Sequence, residues 1–262
     1  GTGAYFEMTG SPITNKLNIN MNNDSNSKNG MRGIYVSSKT NKTFTNEGDI
    51  KITNTDTFGF GIIAINNLVS NAKVINKANI TLEDSLNTNK PNIGMYTHEK
   101  IISPILQELP YILENEGNIK VGKNGIGIYG KNITNGDTVT LPNSTIEVGE
   151  NGIGVYTKVE KTDTKARDIK LESGSIKVGK DGVGVYIAKD DDITTTSTPT
   201  VTVRATNTFS MTLGDGSSDA DKGAFGFVNV GSNNKIYSDI SNVNLQNNSI
   251  YIYSKDTSGT SA

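Results

Sequence analysis

The stretch GNIKVGKNGIGIY, Gly117 to Tyr129, returns as STIEVGENGIGVY (Ser144 to Tyr156) and again as GSIKVGKDGVGVY (Gly174 to Tyr186). A repeat of this strength outranks other sequence signals, because it says that the chain is one unit copied along its length. Each copy opens on an alternating strand, Ile119-Lys120-Val121, whose pleat sends both aliphatic side chains to one face and the lysine to the other. Glu147 and Lys177 hold the polar place in the sister copies, so that face meets water. A Gly-Lys-Asn-Gly turn follows, Gly122 to Gly125, and then a second short strand ending in Gly127-Ile128-Tyr129.

With that Gly-apolar-aromatic ending as a template, weaker copies emerge on both sides. They are Gly3-Ala4-Tyr5, Gly33-Ile34-Tyr35, Gly61-Ile62-Ile63, Gly94-Met95-Tyr96, Gly223-Ala224-Phe225 and Tyr251-Ile252-Tyr253, the last with Tyr in the glycine place. The ending recurs about every 31 residues. Each interval holds one copy of the alternating strand, such as Ile50 to Ile52, Ile80 to Leu82 and Phe209 to Leu213. A third strand lies after each aromatic, clear at Val139 to Leu141, Ile169 to Leu171 and Val201 to Val203 and fainter at Phe44, Val74 and Leu113. One such unit cannot bury its apolar face alone, but stacked copies can. The predicted fold is all-β: a right-handed parallel β-helix, a solenoid with three short strands per rung, about nine rungs and loop insertions at the corners. Residues 1–262 read as a single β-helix segment. Because Gly1 to Tyr5 begins in mid-rung, the segment is expected to be an excerpt of a longer repeat array.

Bulk composition agrees. Hydrophobic residues make up 34% of the chain, low for a globular protein but natural for a rod whose core is one column wide. A net charge of −2 gives no basic field for nucleic acid or anionic lipid. The absence of cysteine removes disulfides, thiolate nucleophiles and Cys-based metal sites. No apolar run is long enough to span a membrane as a helix.

Three positional readings set up the structure. Asn46, Asn76, Asn115 and Asn143 each precede an alternating strand by a few residues, where stacked asparagines would form a hydrogen-bonded ladder. The turn glycines Gly122, Gly125, Gly149, Gly152, Gly179 and Gly182 are expected to supply positive φ. The glycine two residues before each tyrosine allows two arrangements. If Ile126 and Ile128 both face the core, Gly127 and Tyr129 share the outer face and the tyrosines form an exposed column. If the pleat breaks there, the tyrosine points inward and the glycine makes room for it. The aliphatic place before each tyrosine has no polar member, which favours the first. The expected core includes Ile126, Ile153 and Val183 alongside Ile119, Val121, Ile128, Ile146, Val148, Val155, Ile176, Val178 and Val185.

Candidate chemistry is sparse. His98, the sole histidine, sits in a loop without a recognisable nucleophile partner. Asp190 to Asp192 are clustered carboxylates but lack the spaced pattern of a Ca²⁺ loop. The outward places of the alternating strand, Lys51, Thr81, Lys120, Glu147, Lys177 and Ser210, mix charges and hold no acidic pair of the kind a β-helical polysaccharide-cleaving enzyme needs. No catalytic residue, cofactor or metal site is predicted. The candidate partner contacts are the outward tyrosines Tyr129, Tyr156 and Tyr186 and an apolar insertion, Ile101 to Leu113. In that insertion Ser103-Pro104 opens and Pro110 closes a predicted short helix carrying Ile105, Leu106 and Leu109.

Repeats of the form Ile-x-Val-Gly-x-Asn/Asp-Gly-Ile/Val-Gly-Val-Tyr, rich in Asn, Lys and Gly and free of Cys, resemble the passenger regions of large type V autotransporter adhesins, RadD-like fusobacterial outer-membrane adhesins in particular. The resemblance is strong over Gly117 to Tyr186 and weak at the ends, and its motif is a structural rung that carries no functional residue across. It implies a monomeric, surface-displayed adhesin segment that meets host-cell or bacterial protein or glycan, with membrane attachment through a C-terminal barrel this sequence does not contain. A β-helical carbohydrate-active enzyme and a pure spacer are the other readings. Tyr251 in the glycine place and the long interval before Phe225 depart from the pattern and question the regularity of the last rungs.

Overall fold

The computed structural model describes residues 1–22, 30–53, 58–66, 72–86, 88–98, 111–130, 138–159, 166–189, 200–218, 222–231 and 233–255. Their regular elements are strands, with no helix among the described residues. The strands form three parallel sheets, one of nine strands and two of eight, and the chain visits the three sheets in strict rotation. The molecule is thus a parallel β-solenoid of eight complete three-strand turns and the first strand of a ninth, slightly short of the expected count. At roughly 4.8 Å per rung its length is about 38 Å.

The three strands of the repeat each go to their own sheet. In the second of the three strong copies, Ser144–Val148, Ile153–Val159 and Arg167–Leu171 follow one another around the turn. The alternating strand stacks in register, with Ile119 opposite Ile80 and Ile146, and Val121 opposite Leu82 and Val148. All of these are at most 2% exposed and belong to one core column that runs the length of the rod. The outward row is Lys51, Thr81, Lys120, Glu147 and Lys177, and it continues through Thr212 rather than Ser210, which pairs with Ser175 instead. Opposite charges alternate along it, as in the Lys120–Glu147 pair at 3.3 Å, and a second such pair, Lys123–Glu150 at 3.0 Å, joins successive turns.

One corner is held by an amide ladder. Asn15 donates to Asn46 (2.8 Å), Asn46 to Asn76 (2.9 Å) and Asn76 to Asn115 (2.8 Å), and all four side chains are buried. Each amide also donates to the carbonyl two residues on, closing the corner over Leu17, Gly48, Ala78 and Gly117. The ladder was expected at Asn143, but Asn143 is exposed and Asn115 ends it on the hydroxyl of buried Ser144. Beyond that point register puts Leu141, Leu171 and Ala205 in the same column, so the corner turns from polar to apolar halfway along the rod.

The turn glycines do not carry the positive φ. Asn124, Asn151 and Asp181 do, at 57°, 54° and 54°. A Gly-to-Gly hydrogen bond closes each turn, Gly152 N–H to Gly149 O at 3.0 Å for example, so the left-handed residue sits third, as in a type II turn. Asn and Asp tolerate that conformation. The flanking glycines instead permit close stacking: a Cβ on Gly149 would lie 2.6 Å from the Lys123 nitrogen of the rung before.

Two expectations at the last rungs are corrected by register. Val185 pairs with Phe227 and Tyr186 with Val228, so the repeat ending there is Gly226-Phe227-Val228, three residues after Gly223-Ala224-Phe225. The extra length lies before the strand, and pairing then continues regularly, Phe227 with Ile252 and Val228 with Tyr253. Tyr251 takes the glycine place, and its ring turns inward to meet Phe227 edge-on at 5.5 Å.

Candidate functional site

The pleat of the nine-stranded sheet decides what this rod shows to its surroundings. Ile128, Val155 and Val185 are fully buried in the core. The glycine before each also faces inward, since a Cβ on Gly127 would stand 2.6 Å from Ile146 Cγ2 and 2.5 Å from the Gly154 carbonyl oxygen. Two consecutive inward residues break the alternation, and ladder pairing accordingly passes from Ile126–Ile153 directly to Ile128–Val155. Two things follow. The tyrosines point outward, as the first arrangement proposed. Ile126, however, is outward as well: it leaves the core column and packs with Tyr129, Tyr156 and half-buried Ile153 in a separate apolar cluster. Val183, in register with Ile153, is likewise only half-buried. Ile126 is buried as expected, at 7% exposure, but on the opposite face from Ile128, while Ile153 and Val183 are not fully buried, because the glycine takes one inward place and shifts the residue before it to the other face.

The outer face thus carries two columns. One holds Tyr5, Tyr35, Ile63, Tyr96, Tyr129, Tyr156, Tyr186, Val228 and Tyr253 in unbroken register. The other holds Phe60, Ile93, Ile126, Ile153, Val183, Phe225 and Ile250. Neighbouring rings touch from rung to rung. Tyr5 stacks on Tyr35 with centroids 5.3 Å apart, and Phe60 stacks on Tyr96 at 5.3 Å. Tyr129 and Tyr156 meet edge-to-face at 4.7 Å, as do Tyr156 and Tyr186 at 5.6 Å. These separations lie in the favourable range for aromatic pairs, so the rings hold one another rigid while their outer faces stay half exposed. Burial, and then the neighbouring Tyr5 phenol, push the Tyr35 phenol above its ordinary pKa against a smaller lowering by Arg32.

Tyr129, Tyr156 and Tyr186 therefore lie in one continuous stripe. Ile105, Leu106 and Leu109 lie outside the described residues, as do Asp190 to Asp192. His98 ends the strand Ile93–His98 and is not in a loop. Among the described residues no three His, Asp or Glu side chains gather closely enough to hold a metal ion. Arg167, the first residue of the strand Arg167–Leu171, is buried and ties a corner, donating to Thr157 Oγ1 at 2.7 Å and to the Lys158 carbonyl at 2.5 Å.

The second column is what the sequence reading missed. Its signal was present, since Phe60, Ile93, Ile126, Ile153 and Val183 each stand one residue before the column glycine. The polar rim beside the stripe comes from the turns. Asp181 accepts from the Ser217 amide (2.6 Å) and hydroxyl (2.5 Å). Desolvation raises the Asp181 carboxyl, but the two Ser217 bonds, helped by Lys180 and Lys222, outweigh it and hold the group below its ordinary pKa. Comparison with family models, with characterised proteins and with solved structures finds no match to this chain.

Proposed function

We propose that this chain is the rod-like binding segment of a bacterial surface adhesin, exported to the outer-membrane surface, which attaches to host-cell or bacterial protein or glycan through its aromatic face. The observation that carries the reading is the half-exposed tyrosine column, held rigid by ring-to-ring contact along the nine-stranded sheet. Rigid aromatic side chains supply contact area at low entropic cost, which is why they concentrate at binding surfaces. The Ile-x-Val-Gly-x-Asn-Gly-Ile-Gly-Ile-Tyr resemblance to autotransporter passengers adds the surface setting.

The test is attachment of beads coated with the protein to epithelial cells and to other bacteria. A Y129T/Y156T/Y186T variant keeps β-branched residues on the strand and removes three adjacent rings. Attachment that falls at least tenfold while the far-ultraviolet dichroism stays unchanged supports the aromatic face. Unchanged attachment moves the contact elsewhere, and no attachment by the parent protein makes the segment a spacer.

A further inference from the structure

The tyrosine column is interrupted twice, and the two interruptions differ. At Ile63 the gap between Tyr35 and Tyr96 is closed: Phe60 stacks on Tyr96, Phe58 stands edge-on to Phe60 at 5.3 Å, and Ile63 is 4% exposed. Val228 is itself only 7% exposed, but the side chains around it are smaller. Val replaces Ile, and Gly223 stands two residues before Phe225 where Phe58 stands before Phe60. Phe225 meanwhile leans on Tyr253, with centroids 5.6 Å apart, while Tyr186 meets Tyr156 on its other side and stays half-buried. The result is an open groove of about 340 Å³ with Tyr186 on one side, Tyr253 and Phe225 on the other and Val228 at its base. Asn151, Asp181 and Lys222 line it as well, and the first two belong to the turns along one edge.

We infer that this groove binds a neutral pyranose ring of a glycan; the inference rests on the adhesin reading for its source of ligand. Size comes first: the volume lies at the low end for small-molecule sites, which suits one ring rather than an extended peptide. Tyr186 and Tyr253 are two rungs apart, roughly 9.6 Å between strands, with Phe225 on the rung between them leaning toward Tyr253, which leaves space for one ring against Tyr186. Chemistry comes second. An aromatic side chain would leave the Asn151 amide and the Lys222 ammonium at the edge unused. A cation is opposed by Lys222 and an anion by Asp181. A sugar presents apolar C–H faces to the tyrosines and a perimeter of hydroxyls to the polar edge, and it uses both.

The test is saturation-transfer NMR on the whole chain with methyl β-glucoside, methyl β-galactoside and methyl N-acetyl-β-glucosaminide, with p-cresol as a planar aromatic control. The expected result is transfer to the ring C–H protons of at least one glycoside. Two variants fill the groove. V228Y restores the column residue found on the rungs before and after it, and G223F supplies the counterpart of Phe58, where a new Cβ meets the edge of the Phe225 ring at 3.2 Å and the Asn248 carbonyl oxygen at an ordinary 3.5 Å. Either variant, folded by dichroism, should weaken glycoside binding by on the order of tenfold or more. No transfer to any of the three glycosides, transfer to p-cresol alone, or unchanged glycoside binding in both variants overturns the assignment. Bead attachment, measured on the same variants, reports separately on the wider reading. Glycoside binding lost with attachment retained keeps the groove as a sugar site and places the adhesive contact elsewhere on the face. Attachment retained without any glycoside binding sinks the groove but not the adhesin.

Discussion

At the scale of single residues, the rod separates two kinds of inward position. Val148 is a filler: 2% exposed, in register between Val121 and Val178. Val148→Ala removes two buried methyl groups and is expected to cost about 1–3 kcal/mol in chemical denaturation. Gly127 is a spacer, and the added methyl of Gly127→Ala has nowhere to go, being 2.5 Å from one backbone oxygen and 2.6 Å from Ile146. Its expected cost is about 2–3 kcal/mol, at least that of deleting methyls from Val148. Gly10→Ala, where nothing lies within 4 Å, is the control and should stay within about 0.5 kcal/mol. If Gly127→Ala behaves like Gly10→Ala, the glycine column does not set the spacing of the sheets. Tyr35 offers a pH test. Its phenol is raised, so the neutral form is favoured by folding; the stabilisation is fully present below the ordinary tyrosine pKa and is lost as pH rises through the raised one. In an alkaline titration followed by phenolate absorbance, Tyr35→Phe should remove a late-titrating component.

At the scale of the element, the asparagine corner shows how far a sequence pattern reaches. Asn46, Asn76 and Asn115 were legible because Asn suits a corner and each stands just before an alternating strand. Asn15 was missed and Asn143 wrongly included, because column membership depends on register, which a one- or two-residue slip in a corner destroys. The same limitation misplaced Gly223-Ala224-Phe225 and put Ile126 in the core: spacing identifies strands, but only backbone geometry says where the pleat breaks. The ladder makes an energetic prediction. Asn76 accepts from Asn46 and donates to Asn115, both out of water, and donates to the partly buried Ala78 carbonyl. Asn76→Ala leaves the Asn46 amide and the Asn115 carbonyl oxygen each short of a partner, and should cost about 2–4 kcal/mol. The apolar half of the column, Leu141 and Leu171, shows that the shape accepts leucine. Replacing all four asparagines with leucine should therefore cost clearly less than four times the single loss, because no side-chain amide is left half-satisfied and the remaining cost falls on the carbonyls of Leu17, Gly48, Ala78 and Gly117 and the Ser144 hydroxyl. Simple additivity would mean that the bonds act as independent pairs and not as a ladder.

At the scale of the whole molecule, fold class and rung architecture were open to inspection in three copies of one motif, while the binding face was half visible: its tyrosines by repetition, its groove not at all, since the groove arises from what Val228 and Gly223 lack. A rod of this kind joins each turn only to its neighbours, so its stability should be a sum of turn and interface contributions that changes along its length. Burial already has that gradient. Central aliphatics such as Ile146 and Val155 are fully enclosed, whereas Leu245, Ile250 and Ile252 of the last rung are each 46% exposed, and Tyr5 of the first is 58% exposed. The last prediction follows for native-state amide exchange. Protection should peak in Ser144–Val148 and Ile153–Val159 and decline toward Thr2–Met8 at one end and Ser249–Lys255 at the other, because local opening from an end breaks one interface and opening in the middle breaks two. Substitutions should obey the same order. Ile252→Ala, removing more methylene than Val148→Ala but from a half-exposed site, should cost under about 1 kcal/mol and leave protection of the central turns unchanged. Val148→Ala should lower protection across the turns on both of its sides. A single exchange free energy shared by every strand, moving as one with either substitution, would show that the eight turns unfold all-or-none and that the neighbour-only account of this rod is wrong.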